Sequence, residues 1–156
     1  MKTIIIGAGP LGSLYATLLH KAGKDVTMLA RNDHYQFLKQ NGIVMINEFT
    51  QDKIIEKVKV VGSLGEEDNF DLAIILMRKN SVTKLLPTLS KYKNIRNFLF
   101  MGNNALGFDE YLNYLPKEKV LFGFPGGGGS RIDHIVHYID SEKPYGKRMP
   151  ITLGEV

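Results

Sequence analysis

Six residues near the start of the chain, Gly7-Ala8-Gly9-Pro10-Leu11-Gly12, carry glycine at the first, third and sixth positions. Glycine at the first permits a tight turn, at the third it lets backbone approach a bulky anion with no Cβ between, and at the sixth it allows a helix to pack closely on a strand. Such a loop offers main-chain N–H groups and the positive end of a helix dipole to a phosphate. Pro10 removes one N–H where that donor has no intrahelical partner anyway. The chemistry these residues suit is grip on a diphosphate; the bland alternative is a glycine-rich turn with no ligand.

The elements around the loop give it this meaning. Thr3 to Ile6 is a short β-branched run, and from Leu11 the apolar residues Leu11, Leu14, Tyr15, Leu18, Leu19 and Ala22 follow the spacing of one helical face. Gly23 ends that helix, and Asp25 to Ala30 reads as a second strand, so the loop lies in a βαβ unit. Where an NAD-selective site usually has Asp or Glu at the end of the second strand, this chain has Ala30-Arg31-Asn32. With a guanidinium to pair with a 2′-phosphate and no carboxylate to repel it, NADP(H) is the physical preference. Asp33 lies close by, Arg31 as a solvated surface charge is the plain alternative, and NAD(H) or FAD is the rival cofactor reading.

Further along, Asn32 or Asp33 caps a helix running to about Gln40, Asn41-Gly42 makes a turn, and Ile43 to Ile46 and Lys53 to Val61 read as strands. The second of these alternates polar and apolar and is expected at an exposed antiparallel edge. Asp71 to Met77 is the most continuously apolar segment, as a central strand covered on both faces should be. A helix over Ser81 to Leu89, a strand over Ile95 to Met101, a helix over Phe108 to Leu115 and a strand over Val120 to Phe124 follow. After the run Gly126 to Gly129, Arg131 to Asp140 and Pro150 to Leu153 read as strands with no helix between, joined by a turn around Lys143-Pro144-Tyr145-Gly146. The predicted fold is α/β: a Rossmann-type, doubly wound, mainly parallel sheet with extra antiparallel strands.

Composition narrows the function. The chain of 156 residues, 44% hydrophobic and 23% charged, has the size and balance of one soluble domain. Its net charge of +4 is too small and scattered to argue for nucleic acid. The absence of cysteine removes disulfides and thiolate chemistry, and four scattered histidines give no metal site. No apolar run is long enough for a membrane span, so the expected location is the cytoplasm.

The segments IIIGAGPLGSLYA (4–16), VTMLAR (26–31), DLAIILMRKNSV (71–82), GNNALGFDEYL (102–112) and ITLGEV (151–156) together resemble the N-terminal domain of the ketopantoate reductase family, across essentially the whole chain. The resemblance implies NADPH-dependent reduction of a small 2-oxo acid to a 2-hydroxy acid, with cofactor contacts from Gly7 to Gly12 and Arg31. It also implies contacts at the end of the central strand, from Met77 and from Arg78 in place of the family's lysine, with Lys79 as a possible substitute. The family's asparagine beside the nicotinamide ribose and substrate falls on Asn104, the candidate catalytic residue, with Asn103 as neighbouring candidate; a turn or helix cap is the plain alternative for both. A small residue that lets backbone pass the cofactor falls nearest Gly128, in a run that reads equally as a flexible loop. The family's general-acid lysine and substrate-orienting glutamate belong to a second, mostly helical domain, which this chain lacks. The chain is therefore read as one NADP(H)-binding domain, residues 1–156, expressed separately or truncated, binding NADPH with little turnover alone. A homodimer is a possible assembly. The competing functional class is a non-catalytic NADP(H)-sensing module acting through a partner, which fold alone does not separate from an enzyme.

Overall fold

The computed structural model describes residues 1–102, 107–141 and 146–155. β1 (Lys2–Ile6) and β2 (Asp25–Leu29) pair in parallel from Lys2 opposite Asp25 to Ile6 opposite Leu29, and α1 (Pro10–Lys21) joins them. α2 (Asn32–Asn41), β3 (Ile43–Asn47), β4 (Lys53–Glu56) and β5 (Lys59–Val61) follow, then β6 (Phe70–Ile75), α3 (Lys79–Leu89) and β7 (Ile95–Met101). The chain continues through α4 (Asp109–Leu112), a 3-10 turn at Lys117–Lys119, β8 (Val120–Phe124), β9 (Gly128–Ile132), β10 (Ile135–Ile139) and β11 (Thr152–Glu155).

Among the described residues the main sheet has seven strands in the order β11-β8-β7-β6-β1-β2-β5. All its pairs are parallel except β11 against β8, so the predicted doubly wound sheet with an added antiparallel strand is what forms. From β1 the chain builds outward through β2 and β5, then returns to β6 and builds the other way. The carboxyl ends of β1 and β6 therefore open a crevice where an α/β sheet of this kind takes its ligand.

Strand alternation divides the core. Ile5 faces a cluster with Leu14, Met28, Met45 and Val136, while Ile4 and Ile6 face a second one with Leu86, Phe98 and Phe100. The first face carries a feature absent from the sequence reading: a four-stranded sheet, order β4-β3-β10-β9, lying over α1. Leu14, Tyr15, Ala16 and Thr17 are all buried, so α1 is enclosed between two sheets. Burying a side chain of leucine size contributes about 1.5–3 kcal/mol, and here that energy fixes the helix under the loop.

Several boundaries differ from expectation. Lys53 to Val61 is two strands: β4 is the antiparallel edge of the second sheet, whereas β5 pairs in parallel with β2. Arg131 to Asp140 is not one strand, because Asp133, at φ 53, turns β9 back on β10. β9 begins inside the glycine run, whose Gly128 and Gly129 pair with Ile139 and Tyr138. Gly129 is there for close approach: at φ +156, a Cβ would lie 2.2 Å from the His137 carbonyl oxygen. The helix predicted over Phe108 to Leu115 shortens to α4, and α3 starts two residues early, at Lys79.

Candidate functional site

The loop between β1 and α1 uses its glycines for different ends. Gly7, at φ +117, presses on β6, where a Cβ would lie 2.4 Å from the Leu76 carbonyl oxygen. A Cβ on Gly12 would lie 1.8 Å from the Gly7 carbonyl oxygen. Gly9 is different: its Cβ would meet nothing within 4 Å. The two outer glycines close the turn, and the middle one faces open space of the kind a ligand fills.

The first helical bond of α1 runs from the Ser13 N–H to the Gly9 carbonyl at 2.9 Å, so the Leu11 and Gly12 amides have no acceptor one turn back. Gly9 caps the helix without a side chain, Pro10 occupies the first position, and the first turn holds no acidic residue. No acidic side chain of the first turn competes with an anion for that helix end.

Two cavities meet over this loop. One, of about 570 Å³, runs from Gly7, Ala8 and Gly9 past Ala30, Arg31 and His34 to Arg78, Ser81 and Arg131. The other, of about 650 Å³, extends along the carboxyl ends of β6 and β7 to the glycine run. Gly9, Pro10, Leu76, Met77 and Arg78 border both. The structure thus brings together Gly7 to Leu11, Arg31, Met77, Arg78 and Gly128, while Gly12 is packed beneath the loop.

Among the described residues, three arginines and no carboxylate line the first cavity. Arg31 reaches it because α2 starts abruptly: Asn32 takes φ 53, a left-handed conformation that asparagine tolerates, and Arg31 stays extended at the helix start. Asp33 does not line it. Arg131 arrives from the β9–β10 hairpin, and its Nη1 donates to the Ala8 carbonyl at 2.8 Å.

His34 and Arg131 have no sequence signal linking them to the loop. The His34 ring stacks on His134 at a centroid distance of 5.3 Å, with their Nδ1 atoms 3.1 Å apart. Burial first, then the charges of Arg131 and His134, lower the His34 pKa from 6.5 to about 4, against a smaller upward pull from the Ala8 backbone. A histidine held neutral in the fold but protonated when unfolded costs stability as pH falls through this window. The protein should therefore lose thermal stability between about pH 6.5 and about pH 4. In His34→Asn the drop in thermal midpoint from pH 7 to pH 4.5 should be smaller; an unchanged drop would remove His34 from the account.

The second cavity has Val82, Phe100, Met101, Tyr111, Phe122 and Phe124 along it. Gly127, Gly128 and Gly129 form its far side. Tyr15 of α1 holds the run in place: its hydroxyl accepts from the Gly126 N–H at 2.8 Å and donates to the Gly126 carbonyl at 3.2 Å. Burial raises the Tyr15 pKa, which keeps that hydroxyl a donor. Lys79 also lines this cavity, beside Arg78. Asn103 and Asn104 lie outside the described residues.

The family described as ketopantoate reductase PanE/ApbA matches residues 3–142. The chain belongs to the ketopantoate reductase family. A 2-dehydropantoate 2-reductase of Pyrococcus horikoshii is 42% identical over 130 residues, covering 82% of this chain and 39% of that protein. A Trk system potassium uptake protein TrkA homolog of Methanothermobacter thermautotrophicus is 25% identical over 166 residues, 96% of this chain and 76% of that protein. Among solved structures, a D-mandelate dehydrogenase in ternary complex with NADH and anilino(oxo)acetate superposes with a TM-score of 0.76 at 24% identity, over 90% of this chain and 46% of that one. This last likeness speaks for the fold. The chain spans about 40% of the length of the first oxidoreductase relatives.

The glycine loop of this chain follows β1, where the strand order of the main sheet reverses. No helix among the described residues is long and apolar enough to cross a membrane, and no cluster there of three or more His, Asp or Glu could hold a metal.

Proposed function

We propose that this chain is the NADP(H)-binding domain of an oxidoreductase that reduces a small 2-oxo acid to a 2-hydroxy acid. The observation that carries the reading is the loop cavity, where Arg31, Arg78 and Arg131 stand with no Asp or Glu among the described lining residues. A site that held the ribose 2′-hydroxyl through a carboxylate would need one there, whereas a 2′-phosphate is favoured by guanidinium. The space beyond Gly9 fits a diphosphate, and the two cavities together accommodate an elongated ligand crossing the loop.

When bound, the nicotinamide supplies the hydride chemistry. The chain's residues have the other tasks. The loop amides and Arg31 bind the phosphates, Met77 and Arg78 border the passage between the cavities, and Gly128 leaves room for the nicotinamide side. Phe100, Tyr111 and Phe122 exclude water from the reacting end. Asn104, with Asn103 beside it, offers an amide to the substrate oxygen.

The match to a protein named for potassium uptake and not for oxidoreduction favours a second reading, a non-catalytic NADP(H)-sensing module acting through a partner. Reduction of 2-oxo acids by the whole protein would exclude it.

Titration with NADPH, NADH and FAD, followed by fluorescence or thermal shift, tests the cofactor. NADPH should bind most tightly. In Arg31→Ala, NADPH affinity should fall by about 10- to 100-fold, the size of a lost charge-assisted hydrogen bond. NADH affinity should change by less than about 3-fold on the same reasoning. Equal weakening of both would count against the assignment.

A further inference from the structure

Resting on the NADP(H) reading, we propose that Arg131 is a second 2′-phosphate contact, so that guanidinium groups from two different sheets, with Arg31, flank the adenosine end of the site. No spacing in the sequence points to it. Arg131 lies in β9 of the small sheet, yet it lines the same cavity as Leu29, Ala30, Arg31 and His34 at the end of β2. It does not line the cavity that leads to the glycine run. Its charge is felt at His34, in the first turn after Arg31, which puts it on the adenosine side of the loop.

The hairpin does not need Arg131 for its position. β9 and β10 pair from Ile135 opposite Ile132 to Ile139 opposite Gly128, β10 pairs with β3, and Val136 and Tyr138 are buried in the core. An exposed bond to the Ala8 carbonyl adds little to such a framework. It does hold an otherwise flexible side chain beside the phosphate loop. The bond uses one donor of the guanidinium fork and leaves the others for a ligand oxygen. The same chemistry would serve a diphosphate, but the residues Arg131 shares its cavity with favour the 2′-phosphate.

Adenosine 2′,5′-bisphosphate and ADP separate these roles, because one carries the 2′-phosphate and the other the diphosphate. Calorimetric titration of the wild type, Arg131→Met and Arg131→Lys, with NADPH and NADH alongside, makes the test. Arg131→Met should lower affinity for the bisphosphate and NADPH by about 10-fold or more, with less than about 2-fold change for ADP and NADH. Arg131→Lys, which keeps the charge, should retain part of the discrimination. Weakening of ADP as much as of the bisphosphate would overturn the proposal in favour of a diphosphate contact or a structural tie to Ala8, as would no change in any ligand. Failure of the wild type to bind NADPH would instead overturn the NADP(H) reading itself. NADPH binding that survives Arg131→Met intact would overturn only the role of Arg131.

Discussion

Gly9→Val should abolish measurable NADPH binding while leaving the protein folded. The backbone at Gly9, φ −93 and ψ −170, is extended and suits a β-branched residue. Its Cβ would meet no atom of the protein within 4 Å, so the folded state gains no collision. The methyl groups would instead occupy the space assigned to the diphosphate. A loss of at least about 100-fold in affinity is expected, equivalent to about 2.7 kcal/mol, with the thermal midpoint of the free protein nearly unchanged. A folded variant that kept its affinity would remove the loop from the site.

Gly12→Ala, three residues away, should do the reverse. Its Cβ would lie 1.8 Å from the Gly7 carbonyl oxygen and 3.4 Å from Ile5 Cγ2, and the first of these is backbone that cannot swing aside. The helix would have to lift from the strand. α1 is enclosed by a sheet on each side, so that movement disturbs both packing layers. Overpacking of this kind costs about 3 kcal/mol or more, which for a chain of this size lowers the thermal midpoint by about 10 °C. Denaturation curves of the free variant would show it, and an unshifted midpoint would mean that the helix can lift from the strand without cost. The two substitutions separate the loop's role in binding from its role in the fold.

The sequence made the loop legible because its signals are local. Glycine spacing, the β-branched run before it and the helical period after it all fall within the first βαβ unit, and each constrains the others. The small sheet was not legible for the opposite reason. β3 and β10 are distant in sequence, and nothing in IVMIN or IVHYI names its partner. The same distance hid Arg131, whose place in the site depends on that pairing, and the stacking of His34 on His134. Gly126 to Gly129 misled in another way: a glycine run suggests a loose loop, but glycine also appears where backbone must approach backbone. Here Gly126 would carry its Cβ 2.3 Å from the Met149 carbonyl oxygen, and Gly129 pairs within a strand. Asn104 was read from resemblance alone and lies outside the described residues, so its role rests on the binding and turnover tests.

The enclosure of α1 has a bearing on how the molecule comes into being. Leaving the ribosome, α1 emerges long before the strand that covers it, since Val136 and Tyr138 pack against Leu14 and Tyr15 only once β10 has been made. Until then, of the small-sheet strands that meet that helix only β3 is present, and β3 is paired with β4 alone. The nascent chain thus carries a partly unsheltered apolar surface until β10 emerges, the condition under which aggregation and chaperone capture compete with folding.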